Sequence, residues 1–245
     1  MKEKTSYPCI RLGEGDLNPR VLTCGDPARA EMISTLLDDP VCLNKNREFY
    51  SYSGKWKGEP VSVVSHGVGC TGASMAFESI MKTGAKLIMR VGTCGGMQDG
   101  IDAGKYVIAT AACRDDGVTD RMLPPGYPAV CDTDVVCALQ KAADEQGVEY
   151  EKGIILTTAL LYPSMMGSSV KLYAKAGVKA LENELSGLLV LAGIYGVKAG
   201  AILVADAKAF ELIDPSEYNP SQSIVKDSIN QQIVIALNAL IDIKI

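Results

Sequence analysis

Arg90 is the one charged side chain in the run Leu87-Ile88-Met89-Arg90-Val91, and Gly92, Thr93, Cys94, Gly95 and Gly96 follow it directly. The apolar run suits a strand buried on both faces, and the glycines suit a loop whose amides approach a ligand closely. A buried guanidinium needs an anionic partner, because an unpaired charge in a core is costly. No acid stands nearby in the chain. The partner is therefore a carboxylate from elsewhere in the fold or a bound anion, and the expectation is phosphate, held by Arg90 and Thr93. Arg29 has the same character. It sits in the first turn of a helix opened by Asp26-Pro27, where free amides attract anions. A cation there is out of place for the helix dipole unless an anion joins it.

Further groups stand at other predicted strand ends: His66 with Val68, Glu182 with Glu184, and Asp206 behind the apolar run Ala199–Ala205. Singly, each has an ordinary reading: a hydrogen-bonded core imidazole, carboxylates serving a helix dipole, an aspartate in an N-cap or Asx turn. Their convergence on one edge of one sheet alters that reading, since ligands of open α/β sheets bind outside the carboxyl ends of the strands. Two arginines, a carboxylate pair and a lone aspartate suit a sugar beside an anion. Phosphate at the arginines is a nucleophile. A carboxylate holds vicinal hydroxyls and steadies positive charge growing on a sugar ring. An acid at the far end protonates a leaving group, and Asp206 behind so apolar a strand is desolvated enough to keep its proton to higher pH.

The elements that must position these groups alternate. Strands are expected at 20–24, at 87–91, 105–112, 153–158, 178–181 and 199–205, with two or three antiparallel strands over 41–66. Helices are expected at 28–37, 71–83, 132–146, from Glu182 to about 195, and over 221–241, with a loop at 160–166. This is an α/β pattern: a three-layer α/β/α sandwich around a mixed, mostly parallel sheet, in a single domain over residues 1–245. A length of 245 residues and 47% hydrophobic content allow a substantial core. A net charge of −5 argues against nucleic acid or anionic membrane as partner. No apolar run is long enough for a membrane span, and no signal peptide is expected. Eight cysteines without a Cys-x-x-Cys pair, and one histidine, make a metal site unexpected and fit the reduced cytoplasm.

The ordered set Gly25-Asp26-Pro27-x-Arg29, Asn46-Arg47-Glu48, Ser65-His66-Gly67-Val68-Gly69, Arg90-Val91-Gly92-Thr93-Cys94-Gly95, Glu182-Asn183-Glu184 and Val204-Ala205-Asp206 resembles the hexameric nucleoside phosphorylases. It is most similar to the purine nucleoside phosphorylases of protozoan parasites. The resemblance covers nearly the whole chain. It implies phosphorolysis of purine ribonucleosides to base and ribose 1-phosphate, with phosphate as co-substrate and no cofactor. Phosphate would be bound by Gly25, Arg29, Arg90 and Thr93, with Arg47 supplied by a neighbouring subunit. Glu184 would hold the ribose hydroxyls, with Val68, Asn183 and Glu182 beside the sugar. Asp206 would protonate purine N7, with Cys94, Gly95 and Leu161 around the base. The implied assembly is a homohexamer, a trimer of dimers with shared sites.

Some positions depart from the family pattern. Cys9 stands where a histidine from the adjacent subunit reaches the ribose 5′-hydroxyl. Asn183 replaces a methionine and puts an amide under the sugar. Leu161 replaces an aromatic residue over the base. A uridine phosphorylase is the nearest alternative, but Tyr162-Pro163 is followed by Ser164-Met165-Met166-Gly167-Ser168, without the Gln-x-Arg pair of that branch, and that branch lacks the aspartate found here at 206. A nucleosidase would use water and would not need arginines around phosphate; a nucleoside-binding protein would bind without turnover. A dinucleotide-dependent dehydrogenase would open a helix with Gly-x-Gly-x-x-Gly after its first strand, which this chain does not.

Overall fold

The computed structural model describes residues 6–162, 165, 167–214, 216, 218–220 and 222–245. Outside them lie the start of the lead-in, residues 163, 164 and 166 of the expected loop with its base-selecting segment, and Ser221, the expected start of the last helix.

The chain opens with β1 (Arg20–Cys24), and Asp26 then caps α1 (Pro27–Ser34), its carboxylate accepting from the Ala28 amide at 2.8 Å. Three antiparallel strands follow: β2 (Asp38–Asn46), β3 (Phe49–Trp56) and β4 (Glu59–Ser65). Next come α2 (Cys70–Lys82), β5 (Leu87–Gly96) and β6 (Tyr106–Asp115). A short β7 (Ala129–Val130) leads to α3 (Thr133–Glu145), then β8 (Tyr150–Thr158), a one-and-a-half-turn α4 (Val170–Lys175) and β9 (Ala180–Glu182). The chain closes with α5 (Leu185–Tyr195), β10 (Lys198–Lys208) and α6 (Ser223–Asp242).

The strands form one mixed sheet, ordered β10-β6-β8-β9-β5-β1-β4-β3-β2. β1 pairs in parallel with both β4 and β5. One face is covered by α1, α3 and α6, whose Ile33, Leu139, Ile233 and Leu237 pack on Leu22, Met89 and Ile202. The other is covered by α2 and α5, whose Phe77, Ile80, Leu188 and Leu191 join Val21, Ile88 and Leu203. The expected three-layer α/β sandwich is thus present. None of the described helices is long and apolar enough to cross a membrane.

Two features of the sheet differ from expectation, and both shape the site. β10 pairs with β5 as well as β6, so β10, β6, β8, β9 and β5 close into a ring, which removes their edges. The glycine-rich stretch after Val91 is also strand rather than loop. Gly92 to Gly96 pair with Leu203 to Lys208 of β10, and Gly95 and Gly96 also pair with β9. Small residues let two neighbouring backbones approach at once. From α6, fully buried Gln232 donates to the carbonyls of Gly92 and Ile202 at 2.9 and 2.7 Å, tying β5 to β10 beneath the site.

Candidate active site

A cavity of about 560 Å³ opens at the carboxyl ends of β1, β5 and β10. Of the residues expected at phosphate, Gly25, Arg29, Arg90 and Thr93 line it; of those expected at ribose, Val68, Glu182, Asn183 and Glu184 do so. Of those expected at the base, Asp206, Cys94, Gly95 and Leu161 line it as well. Arg47 and Cys9 do not. They sit together off the cavity, where Asn46 donates its side-chain amide to the carbonyls of Pro8 and Cys9 and the Arg47 charge acts on the Cys9 thiol.

Arg90 is 3% exposed, and a carboxylate pair from elsewhere in the fold partners it. Its Nε and Nη2 donate to Glu182 Oε2 at 3.3 and 3.0 Å, and Nη2 also donates to Glu184 Oε2 at 2.5 Å. Of the two partners that the sequence leaves open for Arg90, the carboxylate from elsewhere in the fold is therefore present, and it neutralises the guanidinium without a bound anion. Nη1 donates to His66 Nε2 at 2.9 Å. A guanidinium carries five N–H groups and accepts nothing, so one Nη1 hydrogen is left over. The group lies flat against Gly92, where a Cβ would come within 2.9 Å of its central carbon. Only glycine fits there.

His66 is fully buried. Because Nε2 accepts from Arg90, the ring proton sits on Nδ1, which has no partner among the described residues. Burial, then the Arg90 charge, pushes the imidazole well below 6.5, so it stays neutral and can fix Arg90 without repelling it. The structural reading of this histidine is the correct one.

Glu182 and Glu184 take different parts. Glu182 accepts from the amides of Glu184 and Leu185 at 2.8 to 3.0 Å, so its carboxylate caps α5 and meets the donors that a helix start leaves free. The Thr157 hydroxyl adds a further bond at 2.7 Å. Glu184 Oε1 accepts from the Gly69 amide at 2.7 Å, made available by the positive φ of 87° at that glycine. Burial raises the Glu184 carboxyl above 4.5; Arg90 opposes the shift and Glu182 adds to it. Between them, Asn183 donates Nδ2 to the Thr158 carbonyl at 2.6 Å. That carbonyl can only accept, so the orientation of the amide is set and Oδ1 is left as its acceptor, without a donor among the described residues.

Asp206 lies within β10, not at its end. The pairing with β5 shifts register between Ala205 and Ala207, which makes Asp206 the extra residue of a β-bulge. A bulge turns one side chain out of the alternation, here onto the cavity wall. Burial raises its carboxyl above 3.8, against a hydrogen bond from Thr93. Neighbouring Cys94 is a neutral thiol, pushed well above 9 by burial and then by Asp206. Arg29 makes no hydrogen bond or ion pair to a described residue and is half-buried in the cavity wall, where its charge reaches Asp206.

Sequence reasoning missed Phe210 and Tyr218, which line the cavity along with Leu161. Phe210 packs edge-on against Tyr162 and Tyr218, with centroids 5.4 and 5.6 Å apart. Phe210 opens a three-residue 3₁₀ turn (Phe210–Leu212) after β10 and Tyr218 lies in irregular chain, and neither is long enough for a periodicity to mark a wall residue.

The geometry can be set beside known proteins. A purine nucleoside phosphorylase of Plasmodium falciparum is 35% identical over 232 residues, 94% of each chain. A uridine phosphorylase of Thermococcus kodakarensis is 37% identical over 200 residues, 77% of this chain and 72% of that one. The crystal structure of a Toxoplasma gondii purine nucleoside phosphorylase in complex with immucillin-H superposes with a TM-score of 0.93 at 32% identity, covering 99% of this chain and 98% of that one. A model of the phosphorylase superfamily matches residues 19–239. With nearly its whole length so matched, and the cavity formed by the same strand ends that carry the motifs, the chain belongs to the phosphorylase superfamily.

Proposed function

We propose that the chain is a purine nucleoside phosphorylase, converting a purine ribonucleoside and inorganic phosphate to free base and ribose 1-phosphate. The observation that carries this reading is the placement of Asp206. A bulge delivers a carboxyl with a raised pKa to the wall of the cavity that Arg29, Arg90 and Glu184 also line.

In the reaction, a phosphate oxygen forms a bond to C1′ while the C1′–N9 bond breaks. The electrons of that bond pass into the purine, and Asp206 supplies a proton at N7. Arg29 and the spare Nη1–H of Arg90 hold the nucleophile, with Thr93 and the Gly25 backbone beside it. Glu184 accepts from the ribose hydroxyls and faces the growing oxocarbenium charge. Val68 and the Asn183 amide border the sugar, while Cys94, Gly95 and Leu161 border the base. Because Arg90 already shares its charge with two carboxylates, the unshared charge of Arg29 dominates phosphate attraction.

Arg47 and Cys9 lie side by side away from this chain's own cavity, which fits their contribution to a neighbouring subunit and supports a homo-oligomer with shared sites, assembled as a hexamer. Phosphate is the co-substrate and no cofactor takes part. The free cysteines, Cys94 at the cavity among them, suit a reducing compartment such as the cytoplasm. Uridine phosphorylases are also relatives, and Asp206 favours purine over them, since a pyrimidine has no N7 to protonate. Inosine, guanosine, adenosine and uridine, each with and without phosphate, form the test. Phosphate-dependent release of purine supports the reading, whereas release without phosphate or of uracil alone contradicts it.

A further inference from the structure

Behind the cavity wall runs a chain of buried side chains that touches none of the reacting groups except through Glu182. Asp116, at the end of β6, is 4% exposed and accepts at Oδ1 from the Val118 and Thr119 amides, each at 2.7 Å. At Oδ2 it accepts from the hydroxyls of Thr119 and Ser186, again at 2.7 Å. Ser186, in the first turn of α5, also donates its backbone N–H to Thr157 Oγ1 at 2.9 Å. Thr157, on β8, then donates to Glu182 Oε1 at 2.7 Å. Ser186 and Thr157 are fully buried.

We propose that Thr157 and Ser186 are positioning residues, which through Glu182 fix the Arg90 guanidinium at the anion end of the cavity. Three features support this. The polarity of the chain is determined throughout. Glu182 can only accept when ionised, so Thr157 must donate to it and must therefore take the Ser186 amide as its own donor. Asp116 likewise only accepts, so the Ser186 hydroxyl donates to it instead of bonding back to its own helix.

The division of labour at Glu182 also goes beyond helix capping. Capping α5 occupies both oxygens with the Leu185 amide. Thr157 engages Oε1 alone and Arg90 engages Oε2 alone. The hydroxyl therefore sets the rotation of the carboxylate, and that rotation decides where Oε2 meets the guanidinium. Finally, the chain crosses the closed ring of strands, linking β6, β8, β9 and β5. It references Arg90 to the rigid part of the fold rather than to the loops around the cavity. Buried networks of this kind are worth having only when every member is satisfied, and here the described bonds leave none of these oxygens orphaned.

The functional meaning of that register, phosphate affinity, rests on the function proposed above. The test therefore needs a readout that does not depend on turnover. His66 is the only histidine of the chain and its Nε2 accepts from Arg90, so selective ¹⁵N-histidine labelling reports on the guanidinium directly. Thr157→Val keeps the shape and removes the hydroxyl; Thr157→Ser keeps the hydroxyl; Ser186→Ala cuts the chain at Asp116 and serves if Thr157→Val does not fold. Thr157→Val is expected to move the His66 Nε2 resonance and to raise the phosphate KM about tenfold, as loss of a hydrogen bond to a charged group does. kcat should change much less. Thr157→Ser should restore both, and Ser186→Ala should move both in the same direction by less. Folded variants with wild-type His66 resonances and wild-type phosphate KM would overturn the proposal. So would failure of Thr157→Ser to restore them, since that would show only a packing role. If the wild type cleaves no nucleoside with phosphate, the proposed function falls, and the His66 resonance alone decides the positioning role.

Discussion

Glu184 and Arg90 are hydrogen bonded to each other at 2.5 Å, although the first is assigned to the sugar and the second to the anion. The two ends of the proposed reaction are thus tied before either substrate is considered. A hydroxyl that takes up part of Glu184, or a phosphate that takes up part of Arg90, weakens the hold on the other group, so the substrates are coupled through this one contact.

Glu184→Gln tests that coupling. The amide keeps the volume, and Arg90 keeps its partner Glu182, so no buried charge is left unpaired. Loss of a charge-assisted bond to the ribose hydroxyls should raise the nucleoside KM by about tenfold or more. With one competing carboxylate gone, the phosphate KM should stay level or fall. A rise in both would show that Glu184 acts on phosphate as well, through charge or packing. Separate titrations of the two substrates make the distinction.

Arg90→Ala is predicted to damage stability along with activity, because it leaves Glu182 and Glu184 buried without their cation. Removing one partner of a buried pair typically costs about 3–5 kcal/mol. The loss has a defined pH dependence. Glu184 is already raised above 4.5 by burial, and without Arg90 it rises further. A carboxyl whose folded pKa lies above its unfolded value loses stability as pH climbs through that interval. Both proteins lose stability in parallel up to the wild-type Glu184 pKa, which lies above 4.5, and only the variant continues beyond it, so the gap in Tm should widen above that point. A constant gap from acid to neutral pH would mean that the carboxylates do not feel Arg90.

Shared sites make a prediction about mixtures. Arg47→Ala subunits lack the residue they would give a neighbour, and Asp206→Ala subunits lack their own acid. Exchanged together, they should recover activity, because one of the mixed sites then holds both groups. No recovery, with exchange demonstrated by labelled subunits, would place Arg47 outside catalysis.

The parts of this molecule that could be read from sequence are those written in local patterns. β1 has the expected bounds, and Asp132 caps α3 as its position before an amphipathic run requires. The motifs at the strand ends do converge, since nearly all of them line one cavity. What escaped depends on distant partners. Nothing in Gly92-Thr93-Cys94-Gly95-Gly96 reveals that β10 lies alongside, so strand looked like loop. Arg90 and its carboxylates are more than ninety positions apart. Asp206 was legible as a charge behind an apolar strand, but the bulge that turns it to the cavity is a property of two strands paired out of step. Phe210 lies in a 3₁₀ turn too short to show a period, and Tyr218 in irregular chain.

The central claim is that Asp206, set in its bulge, delivers the proton that lets a purine leave. Asp206→Asn retains the shape and a hydrogen-bond donor but has no proton to give, and loss of a general acid typically costs about 10²–10⁴ in rate. The wild-type rate should also fall as pH rises through the Asp206 pKa, which burial places above 3.8, and that limb should vanish in the variant. The most direct measurement compares inosine with 7-methylinosine, whose base already carries positive charge, in wild type and Asp206→Asn. The account predicts a large loss on inosine and a much smaller one on 7-methylinosine. Equal losses on the two would contradict it, making Asp206 a group that positions the base while the proton comes from elsewhere.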